Sequence, residues 1–142
     1  MIKQGTGGSI IFTASTAGHR TIVPSPAAAY GFSKAGLLQL KSSLAAEWAQ
    51  YGIRVNSISP GCMDTPMLPK LPDLLKSWEE RIPLGRVGDP SELAGAIILF
   101  CSPAGKYITG VDIFVDGQSF LAFLLTGLKI NEDVFIGGYH VF

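Results

Sequence analysis

Three short runs of apolar and β-branched residues alternate with helix-like segments, and this alternation limits the fold more than any other feature. Ser9-Ile10-Ile11-Phe12-Thr13-Ala14-Ser15 suits a strand buried on both faces. Thr16 to Pro26 is small, polar and proline-bearing, so it reads as a loop. Ser25-Pro26 then offers an N-cap and a proline at the first helical position. A helix is expected from about Pro26 to Tyr51, with Leu37, Leu40, Leu44 and Trp48 forming its apolar stripe and Gly52 stopping it. Ile53 to Ser59 reads as a second strand, ended by Pro60-Gly61.

Cys62 to Gly88 is irregular and proline-bearing, with one amphipathic piece around Leu71 to Arg81. Such a segment is expected to form a lid over a site. Asp89-Pro90-Ser91-Glu92 has the pattern of a capping box, and Leu93, Ala94, Ile97, Ile98 and Cys101 are the expected buried face of the helix that follows. Val111 to Val115 reads as a third strand. The order strand, helix, strand, lid, helix, strand predicts an α/β fold with right-handed crossovers and a parallel sheet of about three strands with flanking helices.

The 142 residues suffice for one domain with a core, and 47% hydrophobic against 15% charged residues excludes a disordered chain. Eleven basic residues balance eleven acidic ones and are scattered, which argues against a nucleic-acid partner. Cys62 and Cys101 have neither metal-ligand nor disulfide spacing, so both are expected as buried free thiols in a reducing compartment. No signal peptide is expected. The most apolar run, Phe120 to Leu125, is far shorter than the roughly 20 residues a membrane helix needs. A cytoplasmic protein is expected. His19 and His140 are isolated and read as non-catalytic, although His19 follows Ser15 closely enough to touch a substrate.

Tyr30 and Lys34, four residues apart on the first helix, share one helix face. A free tyrosine has a pKa of about 10, and a neighbouring cation favours its phenolate. A phenol supported by an ammonium can pass a proton to or from a substrate oxygen, and Ser15 stands upstream at the end of the first strand.

The segments G-G-S-I-I-F-T-A-S-T-A-G, Y-G-F-S-K, R-V-N-S-I-S-P-G-C-M-D-T-P-M, G-D-P-S-E-L-A and I-T-G-V-D-I-F-V-D-G together resemble the C-terminal half of a short-chain dehydrogenase/reductase. The resemblance covers about Gly7 to Gly117, and the stretch around Ser15 is similar to polyol and ketose reductases of that family. It implies an oxidoreductase that interconverts an alcohol and a ketone, using NADP or NAD. Ser15, Tyr30 and Lys34 would be its catalytic residues: Ser15 steadies the substrate oxygen, Tyr30 exchanges its proton, and Lys34 favours the phenolate and holds the nicotinamide ribose. Tyr30, Lys34, Pro60, Gly61, Met63 and Thr65 would contact the cofactor, and Asn56 would be structural. The interval from Ser15 to Tyr30 is slightly longer than the family's, so Thr13 and Thr16 compete for the serine's role.

The family's glycine-rich turn before a helix, which seats a pyrophosphate, has no counterpart here, because Gly5-Thr6-Gly7-Gly8 precedes a strand. The resemblance thus implies a truncated, Rossmann-like, doubly wound parallel sheet, with residues 1–119 as the C-terminal half of such a domain and 120–142 as a divergent tail. The expected partners are a small alcohol or ketone and further protein chains, as a homo-oligomer or with a full-length relative, with no nucleic acid and no membrane. Two other readings stand beside the oxidoreductase: a non-catalytic remnant serving as an interaction module, and a cofactor-free isomerase or cyclase reusing Tyr30.

Overall fold

The computed structural model describes residues 1–22, 26–68 and 71–120. Three strands, β1 (Gly8–Thr13), β2 (Ile53–Pro60) and β3 (Asp112–Val115), form a parallel sheet in the order β1-β2-β3. Gly8 to Thr13 pair with Ile53 to Ile58, and Ser57 to Pro60 pair with Asp112 to Val115. Between them run α1 (Ala28–Trp48), α2 (Pro72–Glu79) and α3 (Ala94–Cys101). This is the α/β parallel plan that the alternating segments predict.

Side-chain alternation along β2 divides the sheet into two faces. Ile53 and Val55 point to one face and pack with Ala45, Leu44 and Trp48 of α1 and with Ile10 and Phe12 of β1. Arg54, Asn56 and Ile58 point to the other. There the Phe100 carbonyl of α3 accepts bonds from Ser9 Oγ at 2.8 Å and Arg54 Nη2 at 2.5 Å. Helices therefore cover both faces, as in a doubly wound fold. Asn56, fully buried, donates to the Ile108 carbonyl at 3.0 Å and accepts from the Val111 amide at 3.1 Å, which fastens the approach to β3 onto β2. That agrees with its expected structural part.

Several boundaries and faces differ from the expectations. Ser25 lies outside the described residues; α1 starts at Ala28, and its N-cap, Ala27, makes no side-chain capping bond. The helix tightens into a 3₁₀ turn over Ala49–Tyr51 before Gly52, which takes a φ of 67° and closes the turn by donating its N–H to the Ala49 carbonyl. The buried face of α1 is carried by Lys41 and Ala45, whereas Leu40 of the expected stripe is 44% exposed. Lys41 is tolerated inside because its Nζ donates to the Gly110 carbonyl at 2.8 Å. β1 is only partly buried, since among the described residues it has a strand on one side alone.

The capping box at Asp89 forms as expected: its carboxylate accepts from the Ser91 amide at 2.8 Å, and Glu92 accepts from the Asp89 amide at 2.7 Å. The first turn, Pro90–Leu93, is 3₁₀ and then passes into α3. The expected buried face of α3 is corrected. Ala94, Ile97, Ile98 and Cys101 are exposed, and Phe100, with no exposed surface, is the residue that packs inward. Ile97 and Ile98 face away from the sheet, where no described element covers them. Cys101 is thus an exposed free thiol and Cys62 a partly buried one, not two buried thiols. The tail after Phe120, with His140, lies outside the described residues. None of the described helices is long and apolar enough to cross a membrane.

Candidate active site

Parallel strands end on the same side, so the chain leaving β1 and the chain leaving β2 emerge together at the carboxyl edge of the sheet, where α/β sheets take ligands. The Ala14 amide donates to the Ile58 carbonyl at 2.8 Å and keeps the exit from β1 against β2. Ser15 follows as the N-cap of a 3₁₀ turn, Thr16–Gly18, and is 7% exposed. Its Oγ accepts from the Ala17 amide at 3.1 Å. That bond uses a lone pair and not the hydroxyl proton, which stays available for donation.

This turn lies directly on the start of α1. A Cβ added to Gly18 would sit 2.8 Å from the Lys34 carbonyl carbon, and one added to Gly31 would sit 3.0 Å from the Ala17 carbonyl oxygen. Two glycines, one on each side, thus allow backbone-to-backbone packing between the turn that carries Ser15 and the helical turn that carries Tyr30 and Lys34. Lys34 Nζ donates to the carbonyl of Thr13, the last residue of β1, at 2.9 Å. It also stands 5.5 Å from the centroid of the Tyr30 ring, in cation–π range. Tyr30 is 46% exposed, so its phenol is open to a ligand. Ser15, Tyr30 and Lys34 are therefore gathered at one corner. Of the two competing threonines, Thr16 is buried and Thr13 is exposed with its carbonyl engaged by Lys34.

The other cofactor candidates lie beside the end of β2. Pro60 closes the strand, and the Gly61 amide donates to the Val115 carbonyl at 3.1 Å. A Cβ on Gly61 would meet the Asp116 Cβ at 2.7 Å, so only glycine fits between these chains. Met63 forms an isolated parallel bridge with Gly88, with the Gly88 amide on the Cys62 carbonyl at 3.0 Å and the Asp64 amide on the Gly88 carbonyl at 2.8 Å. The Thr65 carbonyl accepts from the Leu68 amide at 2.9 Å. The neighbouring Cys62 thiol is raised above its ordinary pKa by burial, with the Arg20 charge opposing. Lys34, Tyr30 and Thr65 carry hydrogen-bonding groups of the kind that a ribose and a carboxamide require. Among the described residues, nothing comparable serves the pyrophosphate: Gly7 and Gly8 lead into β1, and a Cβ on Gly7 would meet the Gly52 carbonyl oxygen at 2.6 Å. Among the described residues, no cluster of three or more His, Cys, Asp or Glu side chains could hold a metal.

One constellation escaped the sequence reading, which treats His19 as isolated. Its Nε2 lies 2.9 Å from Asp112 Oδ2 and 3.2 Å from Ser59 Oγ, so this nitrogen is engaged within the protein. Ser57 Oγ donates to the other oxygen of Asp112. No local signal reveals this group, because the β2–β3 register alone brings residues so far apart in sequence together.

An open hollow lies elsewhere. It is about 560 Å³ and lined by Met1, Ile2, Lys3, Gln4, Ile10, Trp48 and Ile53, near the amino ends of β1 and β2. Its walls carry almost no polar surface, and it has no part in the Tyr30 chemistry.

A family model described as enoyl-(acyl carrier protein) reductase matches residues 1–117. The chain is 50% identical over 116 residues to a protein described as a probable NADP-dependent mannitol dehydrogenase of Yarrowia lipolytica, covering 81% of this chain and 41% of that protein. It is 47% identical to a sorbose reductase of Schizosaccharomyces pombe, over 81% of this chain and 45% of the relative. The crystal structure of a short-chain type dehydrogenase/reductase from Mycobacterium marinum superimposes with a TM-score of 0.79 at 44% identity, covering 83% of this chain and 46% of that one. The chain thus spans less than half the length of these relatives.

Proposed function

The chain belongs to the short-chain dehydrogenase/reductase family, and from that premise we propose that it supplies the catalytic half of an NADP-dependent oxidoreductase interconverting a polyol and a ketose. The observation that carries this reading is the Lys34 ammonium beside the Tyr30 ring at the corner where Ser15 leaves β1. In ketose reduction, Ser15 donates a hydrogen bond to the substrate carbonyl oxygen. Tyr30 delivers the proton that this oxygen takes up as the carbonyl carbon becomes a carbinol, and Lys34 stabilises the phenolate left behind. When bound, the nicotinamide supplies the hydride, and the protein supplies orientation and the proton. Lys34, Tyr30, Pro60, Gly61, Met63 and Thr65 hold its ribose and carboxamide end.

The names of the relatives support NADP over NAD and a polyol or ketose as substrate. Residues 1–119 are the C-terminal half of the catalytic domain, and 120–142 diverge from it. Dinucleotide affinity then rests on a pyrophosphate-binding unit outside these residues, whether in the same polypeptide or in a relative bound to it. We place the protein in the cytoplasm, in keeping with its two free cysteines.

One observation favours a second reading, an interaction module. β1 has a free edge among the described residues, and the apolar hollow opens beside it. Titrating NADPH while following tryptophan fluorescence separates the two, with the protein alone and after mixing with a full-length relative. Saturable binding and NADPH-dependent ketose reduction support the enzyme. Hetero-oligomers without binding or turnover attributable to this chain support the module.

A further inference from the structure

We propose that His19 and Asp112 are positioning residues that fix the turn carrying Ser15. The turn Thr16–Gly18 is held at its start by the Ala14 amide on the Ile58 carbonyl. Within it the Gly18 amide donates to the Ser15 carbonyl at 2.9 Å, and the His19 amide to the Thr16 carbonyl at 3.1 Å. These local bonds shape the turn but do not tie its far end to the sheet. His19, the C-cap of the turn, provides that tie.

The anchor is built from both inner strands. Ser57 and Ser59 of β2 have no exposed surface, and the Asp112 side chain is 9% exposed. Asp112 receives Ser57 Oγ on one oxygen and faces His19 Nε2 at 2.9 Å with the other, while Ser59 Oγ lies 3.2 Å from the same nitrogen. The His19 ring also packs against Phe114, centroid to centroid 4.6 Å, and Phe120 at 5.7 Å, and these two phenyl rings stack on each other at 4.6 Å. A carboxylate oriented by a serine, holding one ring nitrogen while two aromatic rings hold the ring plane, leaves His19 little freedom. The Asp112 carboxylate requires a donor opposite, which assigns the proton to Nε2.

Ser15 Oγ takes its direction from this arrangement, because it is bonded to the Ala17 amide in the middle of the clamped turn. A turn released at His19 pivots on β1, and the hydroxyl moves relative to Tyr30. A displacement near 1 Å at a reacting group can cost about a hundredfold in rate. This proposal rests on the reading of Ser15, Tyr30 and Lys34 as the site.

The test compares wild type with His19→Ala, His19→Gln and Asp112→Asn. Glutamine can return an N–H donor near the Nε2 position. Two readouts are taken: NADPH-dependent ketose turnover, and amide hydrogen exchange at Ala17, Gly18 and His19, with Ser57 as the control for the sheet. The expected result for His19→Ala is faster exchange at the three turn amides with Ser57 unchanged, and kcat down about a hundredfold with the ketose KM held. His19→Gln restores both. Should His19→Ala fail to fold, Asp112→Asn carries the comparison, with the same loosening expected. Unchanged exchange at Ala17 in a folded His19→Ala or Asp112→Asn protein overturns the clamp, as does a loss of rate carried by KM alone. Absence of NADPH-dependent turnover in the wild type, measured with the pyrophosphate-binding unit present in the same polypeptide or in a bound relative, defeats the enzymatic reading instead, and the exchange data then judge the clamp by themselves.

Discussion

The Lys34 ammonium stands 5.5 Å from the centre of the Tyr30 ring while donating to the Thr13 carbonyl at 2.9 Å. One side chain thus joins the helix that carries the phenol to the end of the strand that leads to Ser15. Lys34→Ala removes both the charge and this tie. Turnover is expected to fall about a hundredfold or more, with weaker NADPH binding. Lys34→Arg is not expected to replace it, since a planar guanidinium is not the compact charge that an ammonium is. Steady-state kinetics and fluorescence titration check both outcomes.

Gly18 and Gly31 let two backbones touch. Gly18→Ala would put a methyl group 2.8 Å from the Lys34 backbone. The turn must then lift from α1, at a cost of about 1–3 kcal/mol. Urea unfolding should show this loss, and turnover should fall further than stability alone explains, because Ser15 moves away from Tyr30.

Phe100 has no exposed surface, and its carbonyl receives both Ser9 and Arg54. Phe100→Ala is expected to cost about 3–5 kcal/mol. By contrast Ile98, 63% exposed, should tolerate Ile98→Ser with a change within about 0.5 kcal/mol. Chemical denaturation of the two variants compares these values.

Glu92 is held down to a pKa of about 2, first by its hydrogen bonds from Arg86 at 2.6 and 2.8 Å and then by the Asp89 amide. Asp89 is lowered as well, chiefly by Ser91. A carboxylate that binds its proton more weakly when folded stabilises the fold fully above its unfolded value. For Glu92 that contribution is lost as the pH falls from the ordinary glutamate value of 4.5 toward about 2. Acid should therefore loosen the start of α3, and Glu92→Gln should remove part of this dependence. Helical circular dichroism between neutral pH and pH about 2 measures it.

Much of the fold could be read in the residues because its signals are local. The apolar runs at Ser9–Ser15 and Ile53–Ser59, the glycine at 52 and the Asp89 capping box each act within a few residues, and each produced the expected element. Leu44 and Trp48 of the expected α1 stripe do pack on the core, while the departures at Leu40 and on α3 have one cause. Apolar spacing identifies a stripe but not what covers it, so Leu40, Ile97 and Ile98 face outward while Lys41 turns inward to a carbonyl. Tyr30 and Lys34 were legible as a pair because a helix brings such residues together. The His19–Asp112 contact was not, since it needs the turn after β1 to meet β3, far away in sequence.

The central claim is that the Tyr30 phenol passes the proton. The measurement that tests it most directly is NADPH oxidation with a ketose, with the pyrophosphate-binding unit present in the same polypeptide or in a bound relative, by wild-type and Tyr30→Phe protein brought to equal folded concentration. Because Tyr30 is 46% exposed, losing its hydroxyl should leave folding intact. The predicted result is turnover in the wild type and a loss of at least about a hundredfold in Tyr30→Phe. Equal rates in the two proteins would contradict it.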